Sequence, residues 1–177
     1  SSSISLLDVE RALEKAAEDD DIAMVFLRPD KISAGMAATE ELRRSLDRFS
    51  QSGKPVVCYG ITYRNGSYYL GSVGDRVFMH PDSEGTLTGL ASQSMYYKDL
   101  LDSLGIQVEL IRHGSYKSAG EPYIRSEMSA ENREQNLALL RSVWEPMMED
   151  MAASRGISAD SLRYWTDHLA LGCSQDW

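Results

Sequence analysis

The chain has 177 residues, 42% hydrophobic and 25% charged, with no tract of a single residue type. That is room for one domain with a core of its own, and the composition is not that of a disordered chain. A net charge of −9 argues against a nucleic-acid partner, because phosphate backbones are held by clustered Lys and Arg.

Residues 6–17 place Leu6, Leu7, Val9, Leu13, Ala16 and Ala17 at helical spacing after Ser5, whose hydroxyl suits an N-cap. The acidic run Glu18 to Asp21 ends that helix and reads as solvated rather than metal-binding, since no further ligands sit nearby. Ile22–Leu27 is continuously apolar, the pattern of a strand covered on both faces in a parallel sheet packed by helices. After a loop at 28–35, residues 36–50 read as a helix closed by Ser52-Gly53, and Lys54-Pro55 opens a second buried strand, Val56–Tyr59. A short helix is expected at Gly66–Val73, then a strand at Arg76–Met79, a turn at 81–85 and a short strand at Thr86–Ala91.

Met95–Leu104 predicts a helix stopped by Gly105, and Ile106–Ile111 alternates as a strand. Ser129 opens a long helix with Glu131 and Asn132 in its first turn and an apolar stripe through Leu137, Leu140, Val143, Trp144, Met147 and Met151, kinked at Pro146. Gly156 ends it, and Ser158 caps a last helix through Leu162, Trp165 and Leu169, leaving the tail Gly172–Trp177 without a partner element. The alternation predicts a single α/β domain over residues 1–177.

Cys58 lies in the apolar run Val56–Tyr59, so it reads as a small core hydrophobe and not as a disulfide partner for Cys173. His80, His113 and His168 share no ligand spacing, and neither a metal nor a cofactor is expected. No stretch approaches the ~20 apolar residues that span a bilayer, and the Ser-rich start lacks the regions of a signal peptide, so any membrane anchor is expected outside this chain.

The segment Gly114-Ser115-Tyr116-Lys117-Ser118-Ala119-Gly120-Glu121-Pro122-Tyr123-Ile124-Arg125-Ser126-Glu127-Met128-Ser129 resembles the lysine signature of the signal peptide peptidase A (protease IV) family. It keeps each fixed position of the G-x-Y-K-S-A-x-E-P-[FY]-x-R-x-x-M-S pattern found in the amino-terminal half of the long, tandem form. Ser52-Gly53-Lys54-Pro55-Val56, Tyr68-Tyr69-Leu70 and Met95 to Leu101 are also similar to that family. The resemblance implies a crotonase-like (ClpP/crotonase) α/β spiral, truncated here at both ends. It also implies a serine endopeptidase with a Ser/Lys dyad, in which Lys117 is the general base. As bacterial inner-membrane enzymes facing the periplasm, such proteins take cleaved signal peptides and other apolar peptides as substrates, and they assemble as homo-oligomers, here expected as a tetramer.

A lysine amine with an ordinary pKa of about 10.4 acts as a base at neutral pH only if burial or a neighbouring cation brings it to roughly 7–8. Tyr116, Ala119, Pro122 and Tyr123 are the residues expected to wall the pocket that does this. Glu121 and Arg125, four apart, read as an exposed pair that shapes the loop and not as catalysts.

Where nucleophile-bearing relatives have A-S-G-G-Y-Y, this chain has Arg64-Asn65-Gly66-Ser67-Tyr68-Tyr69. Asn65 thus stands in the nucleophile position and cannot form an acyl-enzyme, and Ser67 reads as a helix-start hydroxyl. The S-P-G-G loop of such relatives reads Pro29 to Gly35 here, so a working oxyanion hole is not expected in this half. The family resemblance places the serine in an absent carboxy-terminal half, which leaves an isolated fragment inactive. Two other readings compete: a non-catalytic assembly and substrate-chamber domain, and an acyl-CoA enzyme sharing the spiral fold, against which the lysine signature argues.

Overall fold

In the computed structural model, which describes residues 4–111 and 118–168, the Ser5 hydroxyl accepts from the Asp8 N–H at 3.2 Å and starts α1 (Leu6–Glu18). The far end of α1 is held by Lys54, whose Nζ donates to the carbonyls of Ala16 (2.8 Å) and Asp19 (2.6 Å). A cation among the last carbonyls of a helix satisfies groups that have no partner within it.

Contacts gather the chain into two compact units, Ser1–Gly89 with Met147–Trp177, and Leu90–Pro146. The first is built on β1 (Val25–Leu27), α2 (Met36–Ser50), β2 (Val56–Gly60), α3 (Asn65–Gly71) and β3 (Arg76–Met79). The strands form a parallel sheet in the order β1-β2-β3, with Val25 opposite Val56 and Cys58 opposite Val77. Leu13, Leu42, Leu46, Phe49, Val56, Cys58 and Leu70 cluster as the core between the helices and one sheet face. This α/β arrangement is the class that the alternation predicts.

Two expectations for the first strand need correction. β1 is three residues long, with Ile22 and Met24 outside it and exposed. Nor is it covered on both faces, since Phe26 and Phe78 are 60% and 49% exposed. The ladder begins where the Val25 N–H donates to the Pro55 carbonyl at 3.0 Å. Proline has no N–H to give in return, so pairing cannot extend towards Ile22 however apolar that stretch is.

Arg43, 6% exposed, binds α2 to its neighbours. Its guanidinium donates to the Tyr69 carbonyl, to Ser72 Oγ (2.9 Å), to the Asp150 carbonyl (3.0 Å) and to Ser154 Oγ (2.6 Å), and it lies over the Tyr69 ring. Burial pulls its pKa below the ordinary arginine value. Asp150 and Ser154 belong to α6 (Ala130–Arg155), whose Met147, Met148, Met151 and Ala152 are buried. α7 (Ala159–Asp167) follows, its Ser158 cap accepting from the Ser161 N–H at 3.0 Å.

The unit Leu90–Pro146 holds α4 (Lys98–Ser103), α5 (Glu121–Ile124) and the first part of α6, which runs through Pro146 without ending. The Tyr97 N–H donates to the Pro122 carbonyl at 2.6 Å, and the Tyr97 and Tyr123 rings stack with centroids 5.9 Å apart. α4 begins at Lys98, not Met95, and neither Thr86–Ala91 nor Ile106–Ile111 is a strand. Alternation alone does not make a strand, which also needs a neighbouring edge to pair with. Ile111 is 93% exposed.

Candidate active site

In open parallel sheets, ligands bind outside the carboxyl ends of the strands. Here β2 ends at Gly60 and the chain turns through Tyr63 into α3. Tyr63 is buried and packs so closely that a Cβ on Gly60 or Gly71 would come within 2.9 Å of its ring. Its backbone pairs with Gly85 and accepts from the Thr86 N–H at 2.9 Å, which lays the 85–89 segment beside the helix start.

Asn65, the first residue of α3, closes this arrangement. Its Nδ2 donates to the Gly89 carbonyl at 2.6 Å, and its Oδ1 accepts from the Thr88 N–H at 3.0 Å. Gly89 has φ +76°, a conformation that other residues rarely adopt. Both ends of the amide are therefore used to hold one segment of backbone. Ser67 has the expected helix-start role, its Oγ accepting from the Arg64 N–H (2.8 Å) and donating to the Arg64 carbonyl (3.2 Å).

In the loop after β1, the Arg28 guanidinium makes two 3.0 Å bonds to Asp30, and Asp30 also accepts from the Ile61 N–H at 3.3 Å. The Arg28 hydrogen bond holds the Asp30 carboxyl below the ordinary carboxylate range. A carboxylate thus occupies the backbone donor just past β2, which leaves that donor unavailable to a developing oxyanion. Motif and spacing single out neither Asp30 nor Arg43. For Arg43 a signal is nonetheless present, as a cation between Leu42 and Leu46 on the apolar face of a helix.

Lys117 lies outside the described residues, as do His113, Gly114–Tyr116 and Leu169–Trp177, with Cys173 among them. Directly after Lys117, residues Ser118–Gly120 form a 3-10 turn leading into α5. Of the expected pocket wall, Ala119 and Tyr123 are exposed. The exposed Glu121–Arg125 pair is corrected: Glu121 is 3% exposed. Its carboxylate accepts from Ser129 Oγ (2.6 Å), the Ser129 N–H (3.3 Å) and Asn132 Nδ2 (3.2 Å). The Ser129 hydroxyl bond holds its pKa below the usual value, and the charge of Arg125 adds to this.

Cys58 is buried in the core, and desolvation pushes its thiol up to about 11, so it is not a nucleophile at neutral pH. Among the described residues, no group of three or more His, Cys, Asp or Glu side chains is placed to hold a metal ion, and no helix is long and apolar enough to cross a membrane.

The arrangement is that of an α/β protein with a helix start at the carboxyl edge of a parallel sheet. Residues 48–172 match peptidase family S49, and the chain belongs to that family. It is 34% identical over 159 residues to Protease 4 of Salmonella typhi, covering 89% of this chain and 26% of the relative. Identity is 31% over 160 residues with Protease 4 of Haemophilus influenzae (90% and 26%). With the chloroplastic serine protease SPPA of Arabidopsis thaliana it is 33% over 155 residues (88% and 23%). The chain spans about a quarter of the length of these curated relatives.

Two solved structures are similar in fold class. One is an enoyl-CoA hydratase/isomerase family protein from Silicibacter pomeroyi (TM-score 0.38, 12% identity, 93% of this chain and 85% of that one). The other is a putative enoyl-CoA hydratase from Mycobacterium avium paratuberculosis (TM-score 0.36, 17% identity, 94% and 76%). Nothing about function follows from likeness at that level.

Proposed function

We propose that this chain is the base-bearing, amino-terminal part of a serine endopeptidase with a Ser/Lys dyad. Lys117 takes the hydroxyl proton of a serine as that serine attacks a peptide carbonyl, and later returns it to the leaving amine. The serine belongs to a carboxy-terminal half of the same protein. The observation that carries this division of labour is Asn65: the residue in the nucleophile position is an amide, bonded at both ends to the 88–89 backbone. Asp30 supports the same reading, because it fills a donor at the carboxyl edge of the sheet.

The substrates are cleaved signal peptides and other apolar peptides, bound as added strands through backbone hydrogen bonds that tolerate varied side chains. Membership of family S49 supports a peptidase, and the lysine signature supports the dyad. The enzyme works at the periplasmic face of the bacterial inner membrane as a homo-oligomer, a tetramer in this reading.

A specific observation favours a second reading, that of a non-catalytic assembly domain. The unit Leu90–Pro146 exposes Met95, Leu100, Leu104, Ile111 and Leu139 at 57% or more. Surfaces of that kind are covered in assemblies. Lys117→Ala in the complete protein separates the two. Cleavage falls by at least about 10³-fold with assembly unchanged if Lys117 is the base. Cleavage at the wild-type rate leaves the assembly reading.

A further inference from the structure

Glu121 is one of two residues buried among the described part of Leu90–Pro146, the other being Ser129. The dyad chemistry itself has no use for it. It stands four residues after Lys117, at the first position of α5, with its carboxylate turned out of water. An ionised group so placed must be met by donors. Among the described residues three meet it, and they come from two residues at one end of one helix: the Ser129 hydroxyl (2.6 Å), the Ser129 N–H (3.3 Å) and Asn132 Nδ2 (3.2 Å).

Those donors are themselves fixed. Ser129 Oγ accepts from the Asn132 N–H at 3.2 Å and so caps α6, while Asn132 Oδ1 accepts from Asn136 Nδ2 at 2.7 Å. The carboxylate is thus tied to a helix end whose geometry α6 sets. The bond from Ser129 does most to keep it ionised, and the charge of Arg125 acts in the same direction.

We propose that Glu121 is the positioning residue for the base, locking the turn that follows Lys117 onto the first turn of α6 and so fixing where the amine is delivered. The proposal rests on Lys117 being that base. A lysine side chain is long and flexible, so its accuracy comes from the backbone that carries it. A displacement of about 1 Å in a catalytic group costs about 10²-fold in rate. Glu121 acts on the reaction only through Lys117.

The test compares Glu121→Ala, Glu121→Gln, Ser129→Ala and Lys117→Ala in the complete protein, with a peptide substrate. Gln keeps an acceptor oxygen for Ser129, whereas Ala keeps none. Glu121→Ala is expected to lower kcat about 10²-fold with KM within about twofold, and Glu121→Gln to recover to within about tenfold of wild type, with Ser129→Ala in between. In Glu121→Ala the acid limb of kcat/KM moves to higher pH, because an amine released into water returns towards its ordinary pKa of about 10.4. A purely structural cap would leave that limb in place.

Wild-type cleavage by Lys117→Ala sinks the base reading and this proposal with it. Inactive Lys117→Ala beside a folded Glu121→Ala of wild-type kcat and unshifted acid limb overturns the positioning role alone. Should Glu121→Ala fail to fold, wild-type kcat in both Glu121→Gln and Ser129→Ala overturns that role equally.

Discussion

The two units of the chain are held together by different means. In Ser1–Gly89 with Met147–Trp177, the side chains of Leu46, Phe49, Val56, Met148 and Met151 are at most 1% exposed, and buried Arg43 is bonded on several sides. In Leu90–Pro146 the described residues bury Glu121 and Ser129 and no apolar side chain, while Leu104 and Leu139 stand 64% and 63% exposed. Apolar burial is spread over many contacts and tolerates small shifts, whereas a hydrogen-bonded carboxylate depends on a few directional bonds. The first unit is therefore the scaffold. The second, which carries the lysine signature, is expected among the parts of the molecule that open most easily.

Substitutions sharpen that contrast. Phe49→Ala removes a fully buried ring from the core of the first unit and is expected to cost about 3–5 kcal/mol. Hydrogen exchange at the amides of β2 (Val56–Gly60) reads it as a rise of about a hundredfold or more, since each 1.4 kcal/mol is about tenfold. Exchange unchanged at those amides would remove the scaffold role from the Phe49 cluster. At the other extreme, Leu139→Ser in the second unit alters a side chain 63% exposed and is expected to change stability by no more than about 0.5 kcal/mol. A loss above about 2 kcal/mol in the assembled protein would mean instead that Leu139 is covered there, which favours the assembly reading.

The helices were the most legible part of the sequence. Met36–Ser50 and the caps Ser5 and Ser158 stand where spacing and capping chemistry put them, because a helix makes its hydrogen bonds within its own segment. The Ser52-Gly53-Lys54-Pro55-Val56 signature also has a local physical content: Lys54 ties down the end of α1 and Pro55 sets where β1 can begin to pair. Strands were less legible, since a ladder is a relation between segments. Arg76–Met79 found its neighbour, but Ile106–Ile111 has the alternation and no ladder.

At the site, the role of Ser67 followed from its place at a helix start, whereas Asn65 stood out through the family resemblance and only the fold brings the 88–89 backbone onto its amide. Glu121 did not. Its spacing from Arg125 suggested a surface pair, and only the fold brings Ser129 and Asn132 onto its carboxylate. Asp30 was missed for the same reason, because its partner Ile61 lies beyond the next strand.

The division of labour has one direct test. A fluorophosphonate that phosphonylates activated serines, applied to the complete protein and followed by peptide mapping, reports which hydroxyl is the nucleophile. The adduct is expected outside residues 1–177 and is expected to disappear in Lys117→Ala. An adduct on a serine of this chain, above all Ser67, would contradict the division.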